Sequence, residues 1–107
     1  MNQDNKRFKN GITWFVCRHP GAIEWAKRQE LAIDRWVVHL VPNEIVAPDT
    51  VIGTLPVNLA AAVCQRGARY VHLSLEVPAE WRGRELSVEE LSEAAAQLKE
   101  LHVAEIR

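Results

Sequence analysis

The sequence predicts an α/β domain with a mainly parallel sheet. Three observations carry that expectation. Short apolar runs recur at Thr13–Cys17, Arg35–Leu40, Thr50–Thr54 and Arg69–Leu75. Segments with helical spacing of apolar residues interleave with them, giving the order βαββαβα. The chain has 107 residues, 48% hydrophobic and 25% charged, which suits one domain around one core.

Residues 1–11 are polar and read as a flexible N-terminal tail, leaving 12–107 as a single domain. Thr13–Cys17, TWFVC, is the first strand. Pro20 suits the first turn of a helix, where its missing N–H costs nothing. That helix runs to about Gln29 with Ile23 and Ala26 on one face. Arg35–Leu40 is the second strand, and the segment 41–49, with two prolines, reads as a crossover loop. Thr50–Thr54 is the third strand, closed by Gly53 and Thr54. Thr54 then serves as N-cap of a second helix whose core face is Ala60, Val63 and Cys64, with Gly67 as its stop signal.

In the fourth strand, Arg69–Leu75, the period of two puts Tyr70, His72 and Ser74 on one side and Val71, Leu73 and Leu75 on the other. Residues 76–86 form a loop carrying Trp81, Arg82, Gly83 and Arg84. Ser87 and Glu90 form a capping box ahead of a third helix, with Leu91, Ala94, Ala95 and Leu98 as its apolar stripe.

Composition excludes several classes. A formal net charge of -1 argues against broad duplex nucleic-acid binding, which needs a large basic surface. No run approaches the roughly 20 apolar residues of a membrane span, and no secretory leader is evident, so a cytoplasmic protein with no membrane partner is expected. Cys17 and Cys64 lack metal-ligand spacing and read as reduced, buried thiols. There is neither a P-loop nor a GxGxxG, and no cofactor or metal is expected.

Parallel sheets bind ligands beyond the carboxyl ends of their strands, where strand order reverses. The predicted strand ends supply Arg18 and His19, then Gly53 and Thr54, then Ser74 and Glu76, and Thr54 and Asn58 begin the second helix. Arg18 can grip phosphate in a bidentate contact, helped by the start of the first helix, and His19 can move a proton near neutral pH. The structural alternative is an ion pair for Arg18 and a helix cap for His19. Thr54 and Asn58 either contact a phosphate or sugar hydroxyl, or form a simple cap beside an exposed amide. Ser74 contacts ligand or bonds to backbone. His72, deeper in its strand, reads as a satisfied core histidine, and His39 similarly. His102 reads as solvated near the tail. Trp81 either stacks on a base or packs over the third helix, and Arg82 either neutralises phosphate or pairs with a glutamate. Trp14, Trp25 and Trp36 read as core or interface. Histidine phosphatases carry Arg-His-Gly after a first strand. Here Pro20 stands third and no second catalytic histidine is identifiable. A Cys-x5-Arg loop fails because Ile23 stands at the arginine position.

Three blocks in order, TWFVCRHPGAIEWAKRQ, DTVIGTLPVNLAAAVCQRGARYVHLSL and PAEWRGRELS, resemble a small family of CRISPR-associated accessory proteins of the Csx group found beside type III systems. The resemblance spans Thr13 to about Leu98. It implies a Rossmann-like, CARF-like domain and a role in cyclic oligoadenylate signalling. The implied activity is that of a ring nuclease, most simply on cyclic tetra-adenylate, with the ring held at the interface of a homodimer. A ribose 2′-OH attacks its own adjacent phosphate, giving linear products with a 2′,3′-cyclic phosphate and needing no metal. On that expectation Arg18 and His19 are catalytic, Thr54, Asn58 and Ser74 orient phosphate or ribose, and Trp81 and Arg82 cover the ring. Two other readings are a non-catalytic sink or sensor for the ring, and an adaptor that binds another CRISPR protein.

Overall fold

The computed structural model describes residues 11–74, 80, 83, 87–93 and 96–106. Its elements are β1 (Thr13–Val16), α1 (Pro20–Arg28), β2 (Arg35–Val37), β3 (Thr50–Gly53), α2 (Val57–Gln65), β4 (Arg69–Ser74), α3 (Val88–Glu93) and β5 (Gln97–Leu101), with a 3-10 turn at Pro42–Glu44 in the crossover between β2 and β3. The five strands form one sheet in the order β2-β1-β3-β4-β5. Four are parallel and β5 is antiparallel to β4. This is a small Rossmann-like fold. From β1 the chain moves outward to β2 on one side and to β3 and β4 on the other, so strand order reverses between β1 and β3.

Alternation along the central strands divides the core between the two faces. Trp14, Val51 and Tyr70 pack with Ala60, Val63 and Cys64 of α2 on one face. Phe15, Ile52, Val71 and Leu73 pack with Ala22, Trp25 and Ala26 of α1 on the other. Each large side chain buried in this way contributes about 1.5–3 kcal/mol relative to exposure. The buried stripe of α1 is Ala22, Trp25 and Ala26 rather than Ile23 with Ala26, because Trp25 supplies the larger apolar surface and turns inward. Trp36, by contrast, is 38% exposed on the edge strand β2, resting on Phe15 and under Lys27.

Several local expectations hold. α2 stops in a Schellman motif: Gly67 has φ 85°, its N–H donates to the carbonyl of Cys64, and the Ala68 N–H donates to that of Val63. The capping box is present, with Ser87 N–H on Glu90 Oε1 at 3.0 Å and Glu90 N–H on Ser87 Oγ at 3.1 Å. Others are corrected. The first three strands are each shorter than expected. Thr54 is not an N-cap: Pro56 holds that position, and the Thr54 hydroxyl donates to the Leu73 carbonyl at 3.1 Å, tying β3 to β4. His39 is exposed beyond the end of β2 rather than in the core. The third helix ends at Glu93, and Leu98 belongs to β5, opposite Leu73 and packed on the α1 face. Gln97–Leu101 is rich in helix formers, but β4 has a row of backbone groups on its free edge, and pairing with that edge outweighs local propensity. Leu75, Ala94, Ala95 and the side chain of Leu91 lie outside the described residues.

Candidate functional site

At the switch point the chain leaves β1 through Cys17, Arg18 and His19 and enters α1 at Pro20. The Cys17 N–H still pairs with the Val37 carbonyl, so the strand direction continues to the edge of the site. The Cys17 thiol accepts the His19 N–H at 3.3 Å. Burial pushes its pKa up, against the lowering pull of backbone bonds at His19 and Arg18, so it is a protonated thiol at neutral pH. His19 is the N-cap of α1 by its carbonyl, which accepts from Ala22 and Ile23, but its imidazole makes no cap bond. Arg18 and His19 are both exposed, and among the described residues neither has an ion-pair partner. Among the described residues the ion pair offered as the structural alternative for Arg18 does not form, whereas His19 does cap α1, through its carbonyl and not its ring.

Next to it, β3 ends at Gly53 and the chain passes through Thr54, Leu55 and Pro56 into α2. α2 also lacks a side-chain cap, and exposed Asn58 lies in its first turn. The two helices start on opposite faces of the sheet from neighbouring strands, so their partial positive ends converge on one crest. Gly53 is required at the join. A Cβ there would meet the Val16 carbonyl oxygen at 2.7 Å, closer than any side chain allows. Parallel and antiparallel registers align Val16, Gly53, His72 and Lys99 as one row across the sheet.

Tyr70 organises the α2 side of this row. Its hydroxyl accepts the Leu55 N–H at 3.0 Å, donates to the Gly53 carbonyl at 3.2 Å and lies 2.7 Å from His72 Nδ1. Burial raises the Tyr70 phenol pKa, so it stays a neutral hydroxyl. Ser74, at the end of β4, is half-buried, and its hydroxyl has no hydrogen-bond partner among the described residues. The fold thus brings Arg18, His19, Thr54, Asn58 and Ser74 to one end of the sheet, with the Thr54 hydroxyl proton already committed to Leu73. Trp81 and Arg82 lie outside the described residues.

Sequence reasoning missed two residues here. His72 is half-buried rather than sealed in the core. Lys99 is exposed, sits beside His72 across the β4–β5 ladder and has no ion-pair partner among the described residues. Period two in β4 already placed His72 beside Tyr70, whereas nothing in QLKEL signalled a strand. A separate depression of about 640 Å³, lined by Pro42, Asn43, Ile45, Ala62 and Arg66, lies at the opposite end of α2 and does not touch these residues. Among the described residues no three His, Cys, Asp or Glu side chains gather as a metal site, and no helix is long and apolar enough to cross a membrane.

The chain matches a family model described as "Putative CRISPR-associated protein (Cas_VVA1548)" over residues 14–104. No curated protein and no solved structure matches it. The match spans β1 through β5 and so includes both helix starts and the whole row from Val16 to Lys99. The chain belongs to this family of CRISPR-associated proteins.

Proposed function

We propose that the protein is a ring nuclease of type III CRISPR signalling, which binds cyclic oligoadenylate, most simply cyclic tetra-adenylate, at the β1/β3 switch point and opens it. The observation that carries this reading is the Arg18–His19 pair at the start of α1, with both side chains exposed and without a partner among the described residues, at the same end of the sheet as the start of α2, which has no side-chain cap. Arg18 and the two helix ends supply fixed positive charge for a phosphodiester. Asn58 and Ser74 offer hydrogen bonds to phosphate or ribose.

The chemistry needs no external nucleophile. A ribose 2′ oxygen forms a bond to its own phosphorus and the P–O5′ bond breaks. The 2′-OH loses a proton and O5′ gains one. The products are a 2′,3′-cyclic phosphate and a free 5′-OH. In this reading His19 moves one of those protons, a contribution of roughly 10²–10⁴ in rate. Arg18 stabilises charge on the equatorial oxygens as it develops. A symmetric ring fits a two-fold dimer, so a homodimer with the ring at its interface is part of the proposal.

The test is incubation of purified protein with cyclic tetra-adenylate in EDTA, with products separated by chromatography. Linear products ending in 2′,3′-cyclic phosphate are the expected result. Tight binding of an intact ring would instead make the protein a sink or sensor. Neither binding nor cleavage of any ring size would leave the adaptor reading. Light scattering with and without ring checks the dimer.

A further inference from the structure

Ring opening moves two protons, and His19 accounts for one. We infer that His72 is the second proton-transfer group, the general base that takes the 2′-OH proton, positioned by Tyr70 and flanked by Lys99 as a phosphate contact. This rests on the ring-nuclease reading above.

The argument starts from the bonds of one hydroxyl. The Tyr70 oxygen has one proton to give and two lone pairs. The Leu55 N–H occupies one lone pair at 3.0 Å, and the Gly53 carbonyl takes the proton at 3.2 Å. His72 Nδ1 at 2.7 Å can then only donate, which assigns the proton to Nδ1 and leaves a lone pair on Nε2. The opposite tautomer would take the tyrosine proton and leave the Gly53 carbonyl without it. All three contacts are satisfied only when Nδ1 carries a proton, and in the neutral ring that leaves Nε2 basic. Among the described residues, no hydrogen-bond partner occupies Nε2, and the side chain is half-buried rather than sealed.

Placement agrees with that role. His72 pairs in register with Gly53, one residue short of Thr54, and shares a face with the start of α2. β4 lies two strands from β1, roughly 10 Å across the sheet. His19 rises from the far side of β3, just beyond the end of β1. Lys99 stands opposite His72 on β5, exposed, and without a carboxylate within ion-pair distance among the described residues. In the step, O2′ bonds to phosphorus as its proton passes to His72 Nε2. The P–O5′ bond breaks as the His19 imidazolium protonates O5′. Solvent exchange then restores both rings.

The experiment compares wild type with His72→Gln, Tyr70→Phe and Lys99→Gln in single-turnover cleavage of cyclic tetra-adenylate, alongside direct ring binding. His72→Gln should slow cleavage by about 100-fold or more while keeping affinity within about threefold. Tyr70→Phe should slow the rate less, without weakening binding. Lys99→Gln should weaken binding by about 10-fold. A His72→Gln protein that cleaves at the wild-type rate overturns the assignment and leaves the ring-nuclease reading intact. A wild type that binds but never cleaves overturns both. Should His72→Gln fail to fold, ¹⁵N NMR of the His72 ring in the wild-type chain decides. The Nδ1–H tautomer, lost in Tyr70→Phe, supports the base. The Nε2–H tautomer overturns it.

Discussion

At the amino end of the sheet Asp49 is 2% exposed and commits both carboxylate oxygens. It accepts the Ile12 N–H at 2.9 Å, the Trp14 indole N–H at 3.2 Å and the Val46 N–H at 3.3 Å, while its own carbonyl accepts the Arg69 N–H. One residue therefore ties the entry to β1, the crossover loop and the start of β4. At the carboxyl end the polar groups are arranged otherwise. Arg18, His19 and Asn58 are exposed, α1 and α2 lack side-chain caps, and the bonds that Tyr70 and Thr54 make hold backbone and the His72 ring in place while leaving those exposed groups unsatisfied. The difference teaches that this domain spends its polar interactions on rigidity at one end and keeps them available at the other. Substitutions at the two ends should therefore separate stability from ligand affinity.

The largest effect is expected at Asp49. Asp49→Ala orphans three N–H donors, two of them on backbone that cannot turn away, and should lower unfolding stability by about 3–4 kcal/mol. Urea denaturation measures it. A loss below about 1 kcal/mol would mean that water replaces the carboxylate and that the amino end is not anchored as described. Gly53→Ala should come next, at about 2 kcal/mol, because its Cβ would meet the Val16 carbonyl at 2.7 Å and β1 and β3 must part. It sharpens the comparison, since it is the position at the carboxyl end where stability and site share a residue: cleavage and stability should fall together.

Arg18→Gln should behave in the opposite way. With no ion-pair partner among the described residues to lose, stability should change by less than about 0.5 kcal/mol, while affinity for cyclic tetra-adenylate should drop by about 10- to 100-fold. Thermal melts and equilibrium binding on the same preparation test both halves. A melting shift comparable to that of Gly53→Ala would place Arg18 in the scaffold instead.

How much of this was legible in the sequence follows from the range of the interactions involved. Local chemistry was: Gly67 as a helix stop, the Ser87–Glu90 box and the alternation of β4 all rest on contacts within a few residues. The switch point was also legible, because apolar runs separated by helices leave few topologies and Arg18, His19 and Thr54 fall at strand ends. Long-range bonds were not. Thr54 reads as a cap until β4 brings the Leu73 carbonyl to its hydroxyl. His72 reads as a core residue until β5 pairs with β4 and sets it, half-buried, opposite Lys99. Lys99 lies in a segment of helix formers whose strand state is imposed by the open edge of β4.

That imposed strand gives the smallest effect and the finest test of the comparison. Arg69 and Glu100 join β4 to β5 at the amino end through two hydrogen bonds of 3.0 and 2.7 Å. The guanidinium lowers the Glu100 pKa through that bond, and Glu100 in turn raises that of Arg69. A carboxylate depressed in the folded state stabilises fully above its unfolded pKa, and the contribution fades as pH falls through the folded value. The pair is exposed, so solvent screens it and its worth should stay below about 1 kcal/mol. Glu100→Gln should therefore lower stability slightly at neutral pH, and the gap to wild type should close on acidification and shrink in high salt. Were the gap to persist at acid pH, the side chain would be acting through packing, and β5 would be held by Leu98 and its backbone ladder with no help from charge. Because Lys99 is the next residue to Glu100 on β5, the binding data for Glu100→Gln then report whether loosening that pairing reaches the neighbouring cation.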